Sequence, residues 1–478
     1  MSETTEQGVR LGARFWRRVQ PAVVLFSAVF CSSLLGIITR QLDWLAVFWI
    51  ANALLLGLLL RYPFLATASG WLAAVAGYIA ADLLTGSGWH KALWLTAGNM
   101  AGVVVGYALF VRYLRRRMSL KHSDSMLFLI TFTLAAAGTA GLIGMVINPL
   151  LFEGAWQEGF RHWFVAEWFS YLAILPVILT LPHRRRSRPR VVRSRPLVRR
   201  LLPLLALVAS LAAAILLGGP GAVAYAVPAL LWCALSYSVF QTALVTLAFC
   251  VLSLGAIYSG WMDLGVALDA PSAMASLRLG ILLIALGPLT VSNVMSARND
   301  LQRRLRHLAT HDSLTQMLNR GGFMEQATQR LADIPTLQPL SVSLLMLDID
   351  HFKRINDTRG HGGGDQVLAV FAETVKDCLR EHDLLARLGG EEFAVLLPES
   401  DGYRAQRVAE RIRAAVEAKP VQLVDQEPLQ VTVSIGIAVA EAERAEINSL
   451  LSIADTALYQ AKRGGRNRVV LAATTASQ

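Results

Sequence analysis

Two adjacent carboxylates, Glu391 and Glu392, follow a glycine pair in the run Arg387-Leu388-Gly389-Gly390-Glu391-Glu392-Phe393-Ala394-Val395-Leu396-Leu397. The apolar residues on either side suit two strands, and the Gly pair suits a turn that needs positive φ. Glycine there also lets a ligand approach the backbone closely. Glutamates at a hairpin tip are often no more than solvated charge, so chemistry needs further groups. Upstream, Leu344-Leu345-Met346-Leu347-Asp348-Ile349-Asp350-His351-Phe352-Lys353-Arg354-Ile355-Asn356-Asp357 is an apolar strand ending in alternating carboxylates. Hard oxygen donors at a strand end suit a divalent cation. Asp350 reads as a solvated strand-end carboxylate outside the metal set. Gly360-His361 and Gly364-Asp365 follow at an expected loop-to-helix junction. The run Gly362-Gly363-Gly364 reads either as a phosphate cradle or as a flexible turn, because isolated glycine clusters are weak signals.

Ser434-Ile435-Gly436, Ala454-Asp455-Thr456-Ala457-Leu458-Tyr459 and Ala461-Lys462-Arg463-Gly464-Gly465-Arg466-Asn467 complete the set. In this order, from about Asp312 to Val470, the motifs resemble the GGDEF family of diguanylate cyclases, with the turn in a Gly-Gly-Glu-Glu-Phe variant. The resemblance implies condensation of two GTP into cyclic di-GMP, a nucleotidyl transfer. A 3′-hydroxyl attacks an α-phosphate, which demands positioning and charge neutralisation more than covalent catalysis. It also implies two Mg²⁺ (or Mn²⁺) per active half-site, clamping attacking and leaving oxygens. Carried over residue by residue, Asp348 and Glu391 hold metal with the Ile349 carbonyl. Glu392 touches metal or activates the hydroxyl. Asn356 and Asp365 read the guanine edge, Lys462 and Arg466 neutralise phosphates, and Phe352 and Lys353 complete the pocket. The structural alternative for Lys462 and Arg466 is a favourable charge at a helix C-terminus. Arg380-Glu381-His382-Asp383 matches the family's RxxD inhibitory site, where Arg380 and Asp383 bind the product cyclic di-GMP; a local ion pair at a helix end is the plainer reading. One departure stands out. The family's Thr-Gly-Leu-x-Asn becomes Thr315-Gln316-Met317-Leu318-Asn319, which loses a glycine where the domain begins.

The elements that must position these groups are a helix near 321–332, a strand at 340–347, a helix at 364–380, the hairpin around 389, a helix at 403–417, a strand at 429–439, a helix at 447–462 and a last strand from Asn467. Their central order resembles a ferredoxin-like α+β sheet with helices on one face. The resemblance implies the fold of nucleotide cyclases and polymerase palms. About 165 residues suffice for a core.

The rest of the chain has a different character. Mean hydropathy over the whole is +0.46, too apolar for an ordinary soluble protein. The net charge of +11 comes with arginines set between apolar runs, so no nucleic-acid partner is expected. Four cysteines show neither CxxC nor metal-ligand spacing. The run Ala22–Thr39 reads as an uncleaved first helix. Further runs lie near 44–60, 64–84, 92–111, 126–147, 163–181, 201–217, 222–239, 241–258 and 275–295, each approaching bilayer length. The expected organisation is a cytoplasmic tail over 1–20, a polytopic α-helical membrane region of about ten spans over 21–295, a helical linker over 296–311 and the cyclase domain over 312–473. Arg61, the group Arg112 to Lys121 and the run Arg184 to Arg200 fall on alternate loops. The positive-inside rule then puts both termini in the cytoplasm, consistent with a bacterial inner-membrane enzyme in a lipid bilayer. Phe48-Trp49-Ile50-Ala51-Asn52-Ala53, Ala80-Ala81-Asp82-Leu83-Leu84-Thr85-Gly86, Ala97-Gly98-Asn99 and the Trp163–Pro176 run resemble the first class of MASE membrane sensors, which implies sensory input. Asp82, His90, Asn99, Glu167 and Trp168 are the polar groups to watch there. His90 reads as a helix-end group in water and Trp168 as part of an interfacial belt, while for Asp82 a functional group in the span and a helix-end group in water both stand. Val291, Val294, Arg298, Leu301, Leu305 and Leu308 make a short heptad seam, suited to a parallel homodimer stalk. The competing reading of the whole is a catalytically silent membrane receptor for GTP or cyclic di-GMP; a transporter ranks lower for want of paired broken helices.

Overall fold

The computed structural model describes all residues except 1–2, 41–48, 115–124, 183–196, 267–270, 334–340, 424–426 and 473–478. The arginine-rich run from Arg184 therefore lies mostly outside the described residues. Two units separate, Met1–Asn299 and Asp300–Gln478.

The first unit is all helix: α1 (Glu3–Arg40), α2 (Ile50–Arg61), α3 (Ala68–Leu84), α4 (Trp89–Leu114), α5 (Ser125–Phe152), α6 (Trp156–Thr180), α7 (Leu197–Leu217), α8 (Val227–Ser236), α9 (Val239–Tyr258) and α10 (Pro271–Thr310). Among the described residues seven helices are long and apolar enough to cross a membrane, and three apolar segments, Ile50–Arg61, Ala68–Leu84 and Ala222–Ser236, are shorter. Together they correspond to the ten apolar runs. Arg61 closes α2 by donating to the carbonyls of Leu179 and Leu181 at the end of α6. The linker is no separate element, since α10 continues to Thr310 with Leu301, Leu305 and Leu308 exposed. Asp82 is buried, unlike a helix-end group in water, whereas His90 is exposed. Trp168 is half-buried with its indole nitrogen enclosed, unlike a member of an interfacial belt.

The second unit runs α11 (Arg320–Ala332), β1 (Ser341–Ile349), α12 (Phe352–Asp377), β2 (Leu384–Gly389), β3 (Glu392–Leu397), α13 (Gly402–Ala418), β4 (Val433–Glu441), α14 (Ile447–Arg463) and β5 (Val469–Leu471). The sheet order is β2-β3-β1-β4-β5, antiparallel except for the β4–β5 pair. The path β1-α12-β2-β3-α13-β4 is the ferredoxin-like unit.

The expectation of helices on one face needs correction. Strand β1 is apolar on both sides, so with period-2 alternation it must be covered twice. Leu345, Leu347 and Ile349 pack against α12 and α13. Val342, Leu344 and Met346 pack with α11 and α14 on the other face. The helix expected from 364 also starts earlier. It begins at Phe352 and continues across a kink at Gly360, where φ is 74° and ψ is 169°. The glycine run 362–364 lies inside the second segment, with Gly363 and Gly364 buried, so it is not a free phosphate cradle.

The altered opening motif keeps its geometry. Gln316 takes the left-handed backbone, φ 60°, that a glycine favours. Around it Asp312 accepts from the Thr315 backbone (2.9 Å) and hydroxyl (2.8 Å), and Asn319 caps α11 through Gly322 (2.8 Å).

Candidate active site

Alternation along β1 decides where Asp348 points. It shares the face of Leu344 and Met346, the side covered by α14. Helix α14 can lie directly on β4 because Gly436 has no side chain; a Cβ there would come within 2.2 Å of the Ala454 carbonyl oxygen. One turn beyond Leu458, Lys462 then reaches the strand end, and its Nζ stands 2.8 Å from Asp348 Oδ2.

Across the sheet Asp348 is in register with Glu392 at the start of β3. Directly opposed side chains of an antiparallel pair share one face, and like charges there repel. Asp348 is only 6% exposed. Burial, with Glu391 and Glu392 adding to it and Lys462 opposing, pushes its carboxyl up to about 6. The site is therefore an electron-rich strand end with one ammonium in partial compensation.

Beside it opens a cavity of about 460 Å³, lined by Phe352, Lys353, Asn356, Asp365, Arg387 and Glu391 among others. Five residues expected from sequence (Phe352, Lys353, Asn356, Asp365 and Glu391) thus come together on α12 and the hairpin. Asn356 is seated by Gly364 one helical kink away: a Cβ on Gly364 would fall 1.9 Å from Asn356 Oδ1.

Asp350 corrects the sequence reading. It is 5% exposed rather than solvated. It accepts from the Thr432 hydroxyl (2.8 Å), the Ser434 hydroxyl (2.7 Å) and the Asn467 backbone N–H (3.0 Å). With its oxygens occupied it ties β1 to β4 and to the loop after α14. Asn467 also bonds Glu417 (2.8 Å) and Arg413 (3.1 Å) on α13. That loop carries Arg466, exposed on a left-handed backbone of φ 60°, outside the cavity lining.

Arg387 and His361 escaped the sequence reading. Arg387 Nε donates to the Gly390 carbonyl (2.8 Å) and Nη1 to Asp312 (3.2 Å). It joins the glycine turn to the start of the domain, and a cation just ahead of Gly389-Gly390 was the available signal. His361 lines the cavity, and nothing in its sequence context separated it from a surface histidine. Arg380 and Asp383 form a turn in which Asp383 Oδ2 accepts from the Arg380 backbone N–H (2.8 Å), leaving the Arg380 side chain exposed. No side-chain ion pair joins them among the described contacts.

The GGDEF diguanylate cyclase family model matches residues 309–468. A probable diguanylate cyclase, DgcF of Escherichia coli O157:H7, is 31% identical over 454 residues, covering 94% of this chain and 93% of that protein. The chain belongs to the diguanylate cyclase family. DgcF of E. coli K12, also a probable diguanylate cyclase, is 36% identical over 64% of this chain and 95% of its own length. The solved coiled coil and GGDEF domain of DgcB from Caulobacter crescentus, in complex with c-di-GMP, is 34% identical, covering 37% of this chain and 93% of that one, with a TM-score of 0.35.

The donor set of this cyclase domain fits a hard divalent cation. Asp348 and Glu391 offer carboxylate oxygens, and the opposed, partly buried charges of Asp348 and Glu392 are a repulsion that a cation relieves. Among the described residues no three acidic, His or Cys side chains converge as a ready-made cluster.

Proposed function

We propose that the chain is a membrane-anchored diguanylate cyclase that converts two GTP into cyclic di-GMP and two pyrophosphates. The observation that carries this is the meeting of the Asp348–Glu391–Glu392 strand end with the cavity holding Asn356 and Asp365. The Asp365 carboxylate suits the N1–H and amino group that guanine has and adenine lacks, and the Asn356 amide suits the remaining edge. Phe352 and Lys353 close the pocket where β1 hands over to α12. Lys462 and Arg466 supply positive charge for the phosphates, Lys462 from its position on Asp348. Each transfer forms a bond from a 3′-oxygen to an α-phosphorus and breaks the α–β anhydride, releasing pyrophosphate. The hydroxyl proton passes to a carboxylate, for which Glu392 is placed opposite Asp348.

Asp348, Glu391 and the Ile349 carbonyl would hold Mg²⁺ or Mn²⁺, two per half-site. The metal supplies Lewis-acid stabilisation of phosphate charge.

One domain holds one GTP, so two copies must face each other. The exposed seam of Leu301, Leu305 and Leu308 on α10 suits a parallel stalk. The Arg380–Asp383 turn, preorganised by its own backbone bond, suits cyclic di-GMP as inhibitor, since an exposed guanidinium grips phosphate or guanine bidentately. The long apolar helices support a sensor-type region in the bacterial inner membrane with both termini cytoplasmic.

The deciding experiment incubates the purified full chain with GTP and Mg²⁺, beside Glu391→Ala, and reads products by mass. Cyclic di-GMP from the wild type alone supports the reading. Silence of both the full chain and an artificially dimerised 298–478 fragment overturns it in favour of a receptor.

A further inference from the structure

The helical unit contains a cavity of about 430 Å³ in a polar nest. It lies where the N-terminal parts of α2, α4 and α6 meet the C-terminal parts of α3 and α5. Its lining includes Trp49, Asp82, Asn99, Phe152, Trp163 and Glu167. Arg61 and Arg112 sit at the other ends of α2 and α4, so the cavity belongs to the end away from these cations.

Glu167 is 3% exposed and lines the cavity. Its Oε1 accepts from Asn52 Nδ2 at 2.6 Å, and the Tyr171 hydroxyl faces the same carboxyl group. Asn52 is saturated: its amide also donates to Asn99 (3.1 Å), and its oxygen accepts from Tyr78 (2.5 Å) and Trp49 (3.1 Å). The network holds Glu167 in place at the cavity wall. A buried acidic group lining a cavity can receive something that brings its own hydrogen-bond donors.

The walls say what. Asp82 and Glu167 are both acids, and among the described residues His162 is the one basic side chain in the lining, with no Lys or Arg contributing. Lys91 lies over the Phe152 ring, 4.8 Å from its centroid, rather than in the lining. Trp163 is wedged against Gly98 and Gly144, positions where a Cβ would come within 2.8 Å and 2.6 Å of the ring. A carboxylate floor with fixed indole walls is the chemistry that recognises an organic ammonium ion, and the volume falls in the range of small-molecule sites.

We propose that this cavity binds a small organic ammonium ion, its head on Glu167 and Asp82 and its apolar body against Trp49 and Trp163. The site stands independently of the cyclase reading; only the assignment of its mouth to the non-cytoplasmic face rests on the proposed topology.

The test titrates the full chain in lipid nanodiscs with 2-phenylethylammonium, following tryptophan fluorescence and calorimetry. The matched neutral and anionic controls are 2-phenylethanol and 3-phenylpropionate. Saturable binding of the ammonium, at least about tenfold tighter than either control, is the expected result. Glu167→Gln weakens it by about tenfold or more, and Glu158→Gln, outside the lining, leaves it unchanged. If Glu167→Gln does not elute as a folded protein, Asp82→Asn and Trp163→Phe carry the same expectation. Equal binding of the three probes, no saturation up to about 10 mM, or wild-type affinity in the folded lining variants overturns the proposal.

Discussion

Asp348→Asn in the metal-free fragment 300–478 isolates the electrostatics of the strand end. This fragment is a compact unit with a core on each sheet face. Burial raises the Asp348 carboxyl from 3.8 to about 6. A raised acid disfavours its charged form in the folded state. The stability is thus fully present below about pH 4, where Asp348 is protonated folded and unfolded, and is lost as pH rises through about 6. A difference of about two pH units corresponds to about 3 kcal/mol. Asparagine cannot titrate, so the variant escapes this loss. Unfolding free energies from urea titration at pH 4, 5, 6 and 7.5, with chelator present, give the wild-type-minus-variant difference at each pH. That difference should move by about 2.5 kcal/mol against the wild type between pH 4 and 7.5. Millimolar Mg²⁺ or Mn²⁺ at pH 7.5 should restore stability to the wild type alone. A difference that stays constant with pH to within about 0.5 kcal/mol refutes the reasoning, because the carboxyl would then not be desolvated.

Gly364→Ala should drive Asn356 from its seat and raise KM for GTP by about tenfold or more, with far less change in melting temperature, as steady-state kinetics and calorimetry will show. Lys462→Met removes the group that holds the Asp348 carboxyl down, so the acidic limb of the rate–pH profile should move to higher pH. Asp350→Ala strands one buried and two half-buried donors and should cost about 1–3 kcal/mol in urea unfolding while leaving metal affinity, measured by calorimetry, within about threefold. Gln316→Gly should relieve a left-handed backbone and stabilise the fragment by about 0.5–1 kcal/mol.

Most of the cyclase domain was legible from local pattern. Apolar runs broken by glycine, with carboxylates at their ends, marked β1, β2 and β3, because strand period and turn chemistry are short-range properties. Asn356 and Asp365 were assigned to one pocket by the family resemblance, and both line one cavity. The ten apolar runs likewise reappeared as ten helical segments, since continuous hydrophobicity forces backbone polar groups to bond within the segment.

What the chain could not show locally was which partners its polar groups find. Asp348 and Asp350 look alike in sequence, as two carboxylates two residues apart at one strand end. Only the sheet order distinguishes them. Packing of α14 over Gly436 delivers Lys462 to Asp348, whereas β4 and the loop after α14 surround Asp350 with three donors. The second helical layer escaped notice because it depends on α11 and α14 returning to the far face of β1, a long-range choice. The nest around Asn52 and Glu167 joins residues 115 apart in the chain. The residue types follow from the sequence, and the charge state, burial and neighbours of each depend on distant segments brought together by the fold.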